Sequence, residues 1–547
     1  INMSPITATI ADEKIKNIQK ILEGMGIEVD EKEIKSTSNT TIEFINYTGP
    51  HKVIDSLDAI KGIGKSLGNE IAPNRLNPKT ANIANKYTVI HAVDKNETGK
   101  YDADIILINK DATVDHINNL RHIISSYLVS AYDYSEADAN TLAVFITVYN
   151  AVYRGDLDTF SRKYKNVVTK NLSKSNCGLS VNYKDWPGAS EIVIPLFDIE
   201  NGGLSTIETS VISDKKVVES MKEDDDKNID SRKEMVDIKE REAEKSQEKA
   251  KESQKKAVEE QKKLKEEKQK TEKAKEEVKK AEEKATTAKK EAEEAKKQAE
   301  ENPKDKQLQK EAEQKQEEAE AAEQEVEEKQ EALEEQQEAE AEQEAVTEEA
   351  KQEAKTEQER ADKKQNEAQK ERKEIAQDQQ IVQNNEIKEA SMPSAYGIIL
   401  SDEENILSRL VKFNTENGEV IKASPVTVIR NRTIYKTSDA YIAIAGENTG
   451  KGTIKLVLID EETMEIFAES EATVSENSVL VKDGDDYYCV IKDGKNYVVA
   501  KYDEALTLKL KSKVNVTEAT PITVSDSGII VTDNKGNLKL LSKETLE

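Results

Sequence analysis

The stretch closest to a chemical motif is Ala59 to Ser66, AIKGIGKS. Gly64, Lys65 and Ser66 match the end of a P-loop, where backbone amides and a lysine cradle phosphates. Ala59 stands where that motif needs its first glycine. The preceding VIDSLDAI reads as helix, not as the buried strand a P-loop follows. With Leu57, Ile60 and Ile63 the same stretch fits a helix-hairpin-helix turn, whose amides hold a DNA phosphate, but acidic surroundings oppose it. The plain reading is a glycine-permitted turn between two packed helices.

Other candidate groups are scattered. The histidines His51, His91, His116 and His122 have no metal-ligand spacing; His116 and His122 are six apart and face different sides of one helix. Asp156 and Asp158, in RGDLD, read as a loop and helix cap. Arg154-Gly155-Asp156 spells an integrin-type triplet, which works only on an exposed loop. Asp483, Asp485 and Asp486 read as a solvated turn and not as a calcium site. Cys177 and Cys489 lie in different regions and form neither a metal cluster nor a disulfide framework. Trp186, in YKDWPG, reads as a core or interdomain anchor. No catalytic, cofactor-binding or metal-ligating residue emerges, and the expectation is a protein that is not an enzyme.

The totals agree. The chain has 547 residues, enough for several domains, with 35% charged residues and a net charge of −28. Such an acidic chain is a poor partner for nucleic acid or anionic membrane, both of which need clustered Lys and Arg. No run of about 18 apolar residues exists to span a bilayer as a helix. A chain starting at Ile1 is compatible with a removed signal peptide or with trimming.

The dominant element is a charge-saturated stretch from Ser231 to Val382. A small or apolar residue recurs every seven positions: Val236, Ala243, Ala250, Ala257, Leu264 and onward to Ala299, then Ala312, Ala319, Val326, Leu333, and after an interruption at Glu340, Thr347 to Val382. A strict seven-residue repeat of this length is the signature of a coiled coil. Asn302-Pro303 divides it near the middle, where proline removes a helical donor and clashes with the preceding turn. An antiparallel hairpin is expected, turning at 302–303, with Lys262 to Lys280 opposite Glu325 to Glu344. Each arm of about 80 residues at ~1.5 Å rise would reach ~120 Å. The competing geometries are a kinked rod dimerising in parallel and a single charged helix.

Two flanking regions complete a multidomain fold class. Residues 1–220 mix short strands (Thr41 to Tyr47, Tyr87 to Val93, Ala103 to Ile108, Ile192 to Leu196) with helices (Ala11 to Met25, Ile54 to Ile71, His116 to Tyr132, Ser135 to Val152, Leu157 to Leu172), giving an α+β head. The coiled-coil hairpin occupies 221–390. In 391–547 the period changes to two, and a strand-turn-strand motif recurs at Leu410, Leu456, Val498 and Leu538 with glycine hairpins between copies. One such motif per roughly 40 residues suits an all-β propeller-like domain of about four units, open or partial, with a β-sandwich as the alternative.

Four segments also carry a family resemblance. TIEFINYTGP at Thr41 to Pro50, the helix with GIG at Gly62 to Gly64, ITVYNAVYRGDLDTF at Ile146 to Phe160, and NLSKSNCGLSVNYKDWPG with EIVIPL at Asn171 to Leu196 resemble the spirochaetal p83/100 antigen family, best known from Borrelia. The resemblance covers most of residues 40–220, and the order of a charged coiled coil followed by a β-rich end is similar as well. It implies an exported cell-envelope protein, periplasmic, prominent as an antigen and without established biochemical activity; it supplies no catalytic residues. The expected function is therefore an envelope scaffold that contacts protein partners through the hairpin tip and a propeller face. A host-facing adhesin using Arg154 to Asp156, an enzyme with an unrecognised site in the head, and DNA binding through the 59–66 stretch are the alternatives.

Overall fold

The computed structural model describes residues 42–50, 57–447 and 453–547. The helix expected at Ala11 to Met25, His51 and the start of the helix expected from Ile54 lie outside them. Contacts divide the chain into two compact units, one made of residues 1–231 with 376–547 and the other of residues 232–375.

In the first unit the head is built on a four-stranded antiparallel sheet of β1 (Lys79–Ile83), β2 (Tyr87–Ala92), β3 (Asp102–Ile108) and β4 (Ser190–Leu196), in that order. Helices α1 (Leu57–Ile71), α2 (Ile117–Tyr132) and α3 (Glu136–Val152) pack with it. The apolar runs of β2 and β3 are buried almost throughout, as expected for strands with little solvent-facing surface. Asn150, buried in α3, accepts from the Val193 amide and donates to the Ile146 and Val193 carbonyls, which fixes α3 to β4. The segment at Thr41 to Tyr47 forms no strand over its described residues. It makes one bridge at Ile45, whose amide donates to the Val181 carbonyl at 2.8 Å. The helix expected over Leu157 to Leu172 is two short pieces, α4 (Leu157–Lys163) and α5 (Asn166–Thr169), with α6 (Thr209–Ile212) and α7 (Lys215–Met221) following.

The second unit consists of most of α8 (Ile229–Glu301) and α9 (Lys306–Ala390), antiparallel and paired. Asn302 and Pro303 lie between the helices, and Asp305 caps α9 by accepting from the Gln307 amide. One register holds along the arms. Gln309 reaches the Ala299 carbonyl near the turn, Lys329 pairs with Glu277 at 2.7 Å, Gln343 with Glu260 at 2.6 Å, and Arg232 with Glu371 at 2.9 Å. The expected seam residues Ala250, Leu264, Ala285 and Ala299 of α8, and Ala319, Thr347, Ala361 and Ile375 of α9, are buried. Among the described residues α8 and α9 partner each other, as the hairpin reading requires. Cysteines replacing Glu260 and Gln343 are accordingly expected to form a disulfide within one chain. Non-reducing electrophoresis checks this, and linkage only between chains would refute the pairing.

The first unit also holds the β region, a row of antiparallel sheets. β5 (Ser394–Asp402), β6 (Leu407–Asn414) and β7 (Val420–Ala423) join β8 (Ile429–Lys436), β9 (Ala440–Ala445), β10 (Lys455–Asp460) and β11 (Ile466–Glu469) in one seven-stranded sheet. β12 (Val481–Asp483) to β15 (Leu508–Lys511), with β13 at Asp486–Asp493 and β14 at Asn496–Tyr502, form the next. β16 (Thr523–Ser525), β17 (Gly528–Thr532) and β18 (Leu538–Leu541) form the last. The recurring motif closes on similar turns, four residues back at Met464 and Leu546 and three back at Leu506. The amides of Met464, Leu506 and Leu546 donate back to the carbonyls of Asp460, Asp503 and Ser542, and all three residues take positive φ. Left-handed backbone disfavours side chains at such positions, yet each of these is buried and held by its apolar packing. The all-β expectation is met by several antiparallel sheets, and among the described residues they close no propeller ring.

Candidate functional site

The AIKGIGKS stretch is neither a loop nor a turn. It runs through the interior of α1, with Lys65 and Ser66 exposed and Gly64 buried against α2. A Cβ on Gly64 would sit 2.0 Å from the Ile123 carbonyl oxygen, and one on Gly68 2.7 Å from Ser130. Gly64 and Gly68, one turn apart, let two helix backbones approach closely. A helix interior offers no free amides for a phosphate, so the P-loop, the helix-hairpin-helix and the turn readings all give way to helix packing.

The Arg154 to Asp156 triplet is half-buried and occupied. Arg154 Nη1 donates to the Asn176 carbonyl at 2.6 Å and to that of Gly178 at 3.2 Å. Gly155, at φ +77°, donates to the Cys177 carbonyl, and Asp156 caps α4 by accepting from the Thr159 amide and hydroxyl. Burial works against the Asp156 carboxylate, but the Thr159 bonds hold its pKa below the ordinary value. Asp156→Ala is expected to lower stability by about 1 kcal/mol, as loss of an N-cap does, measured by urea denaturation.

The remaining candidates also take structural parts. Trp186 is buried and donates from Nε1 to the Ser180 carbonyl at 2.7 Å. His116 caps α2 through Nδ1, which accepts from Asn118, and burial depresses the pKa of His122. Asp486 pairs with Lys501 and Lys509, and Asp483 with Lys543, so their charges are met by lysines. Both cysteines are buried, and desolvation pushes the Cys489 thiol up to about 12. Among the described residues no group of three His, Cys, Asp or Glu side chains is placed to hold a metal ion.

One polar cluster escaped the sequence reading. His91 on β2 and Asp104 on β3 stand directly opposite each other in the sheet, and both side chains are fully buried. His91 Nδ1 lies 2.6 Å from Asp104 Oδ1, and Nε2 lies 2.6 Å from the Arg75 carbonyl oxygen. Asp104 Oδ2 accepts from Tyr127 at 2.6 Å and Tyr132 at 2.5 Å, both on α2. A carbonyl only accepts, so Nε2 carries a proton; the carboxylate facing Nδ1 calls for a second. Burial disfavours the charged ring, yet Asp104, together with the Arg75 carbonyl and Asp102, more than offsets it and raises the His91 pKa. Burial and the same carboxylate raise both tyrosines well above their ordinary value. Closed to solvent, the cluster can hold a proton and ties sheet to helix. Its trace in the sequence is a single His in YTVIHA and the second of two Asp residues in DADIILI, in strands that are otherwise mostly apolar.

A family model described as the Borrelia P83/100 protein matches residues 31–522. The chain belongs to that family. The P83/100 match takes in the described head, both long helices and the β region up to β15, and leaves β16 to β18 beyond it. No curated protein matches the chain. Among the described residues no helix is long and apolar enough to cross a membrane.

Proposed function

We propose that this P83/100 protein is a non-enzymatic cell-envelope antigen that acts as an extended scaffold, exported to the periplasm or envelope through a signal peptide that is removed. The observation that carries the reading is the helix pair: arms of 73 and 85 residues held in one register, with surfaces made almost wholly of charged and polar side chains. At ~1.5 Å per residue such an arm covers ~110 Å, which serves reach and protein contact and contributes little to chemistry. The turn at Asn302-Pro303 and the propeller-like β faces are the contact surfaces in this reading, and the partners are envelope proteins. The adhesin alternative loses its basis, because Arg154 and Asp156 are engaged within the head.

The experiment places a photo-crosslinking residue at Asn302 and another on the β12–β13 turn at Gly484 in living spirochaete cells, and identifies the adducts. Reproducible envelope-protein adducts are expected. Adducts to cytoplasmic proteins alone would overturn both the function and the location, and no protein adducts would overturn the scaffold.

A further inference from the structure

Three of the four β units open with a strand that the first unit lacks. β8, β12 and β16 lead the second, third and last units and pair antiparallel with β9, β13 and β17. In the first unit α9 runs to Ala390, Ser391 to Pro393 follow, and β5 starts with no strand before it. Tyr396, Ile442 and Tyr488 hold equivalent places, each packed in the layer shared with the next unit. Ile442 lies opposite Tyr435 of β8, and Tyr488 opposite Val481 of β12. Tyr396 lies opposite Lys412 of β6 alone.

The uncovered edge of β5 is a row of free backbone groups. The Thr415 amide donates to the Pro393 carbonyl at 2.9 Å, so Ala395, Gly397 and Ile399 bond to β6. The N–H and C=O groups of Tyr396, Ile398 and Leu400 therefore face away from it. Among the described residues nothing bonds to those three amides. Sheets guard such edges with charge. The outer strands β7, β11 and β15 carry Lys422, Glu469 and Lys509 with Lys511. Ser394 to Ser401 of β5 are uncharged, in a chain that is 35% charged. Charge gathers just past the edge instead. Asp402, Glu403 and Glu404 follow, and among the described residues no cation pairs with them.

We propose that β5 receives an extended segment of another protein as the missing strand, antiparallel to it, basic at its N-terminal end and apolar at alternate positions after that. Main-chain hydrogen bonds give such a strand its hold. Antiparallel pairing sets its N-terminal end beside Asp402 to Glu404, where Lys or Arg is favoured. β8 shows the pattern within the chain, with Arg430 and Arg432 ahead of Ile434, which packs against an apolar layer. A second copy is the poorer occupant, since it brings the same net charge of −28 and Met392-Pro393 where bases are called for. The inference goes beyond the scaffold reading; the crosslinks at Asn302 and Gly484 probe other surfaces, so either can fail alone.

The test titrates a labelled peptide of sequence IRNRTIYK, that of Ile429–Lys436, with the full chain. It is expected to bind with a Kd of about 100 µM, and more weakly as salt rises. Leu400→Pro deletes an amide that faces the open side and breaks no bond to β6, so the fold is kept, checked by circular dichroism and melting temperature. It is expected to weaken binding by about tenfold or more, and E403K/E404K, on exposed residues, by about fivefold. The peptide of reversed residue order, with its arginines at the wrong end, is expected to bind about tenfold more weakly. No binding at ~1 mM, full affinity for the Leu400→Pro chain, or equal affinity for the reversed peptide would overturn the proposal. So would self-association of the chain in sedimentation equilibrium that Leu400→Pro abolishes, which would give the edge to a second copy.

Discussion

Gly64→Ala is expected to destabilise the head by about 3 kcal/mol or more, enough to remove much of the stability of an ordinary domain. The added methyl would lie 2.0 Å from the Ile123 carbonyl oxygen, 2.2 Å from Ser126 Oγ and 2.7 Å from the Tyr127 amide. Two of these atoms are backbone, so relief requires α2 to move as a body and to drag Tyr127 and Leu128 out of the core. Alanine's better helix propensity recovers only about 1 kcal/mol. Gly62 supplies the control on the same helix: a Cβ there meets nothing within 4 Å, so Gly62→Ala should raise stability by about 0.5–1 kcal/mol. Urea midpoints of the two variants should move in opposite directions; equal shifts would show that α1 and α2 do not cross at Gly64.

Asp104→Ala is expected to cost about 3–5 kcal/mol, because it strands a buried imidazole and two buried hydroxyls without their common acceptor. The same cluster sets a pH dependence whose sign is fixed. The folded pKa of His91 lies above its ordinary 6.5, so folding favours the protonated ring. That contribution is fully present below pH 6.5 and is lost as the pH rises through the folded pKa. The groups facing the ring are Asp104, Tyr127 and Tyr132, with the Arg75 carbonyl on the far side and Asp102 along the strand. Urea midpoints of the wild type should therefore fall on moving upward from pH 6.5. His91→Gln should lower the midpoint at pH 6.5 and flatten its slope. A wild-type midpoint that rises over the same range would mean that the ring is neutral in the fold.

The long helices were legible because their signal is redundant. Some twenty positions at a seven-residue period mark a long coiled-coil helix, and Pro303 marks where it breaks; the period alone did not choose the hairpin over a kinked rod. Lys262 to Lys280 do face the Glu325 to Glu344 segment, as Lys268–Glu344 and Lys329–Glu277 show. The apolar strands β2, β3 and β4 were legible for a similar reason. β1, KTANI, was not, because an edge strand with one buried residue carries no alternation to read. The glycines of α1 misled because spacing cannot tell a turn from a close helix crossing; the deciding contact lies about 60 residues away in sequence, at Ile123 and Ser126. His91 and Asp104 were missed because only the β2–β3 register brings them together. Whether the β units close a ring depends on the turn between sheets, to which a local repeat is blind.

The alanine seam has a consequence for the length of the arms. A stripe of near-identical small side chains recurring every seven residues discriminates poorly between one alignment of the helices and another displaced by a heptad. Near the base, however, Glu242 and Lys364 pair at 3.1 Å with almost no exposure, and Arg232 reaches Glu371. A sliding arm would leave these charges buried and unmatched, which is far costlier than exposing an alanine. Alignment is thus dictated at the base and the turn, while the interval between them is modular. Removing one heptad from each arm at matching positions should shorten the pair by ~10 Å and leave both ends intact, so the molecule can be tuned as a spacer one notch at a time.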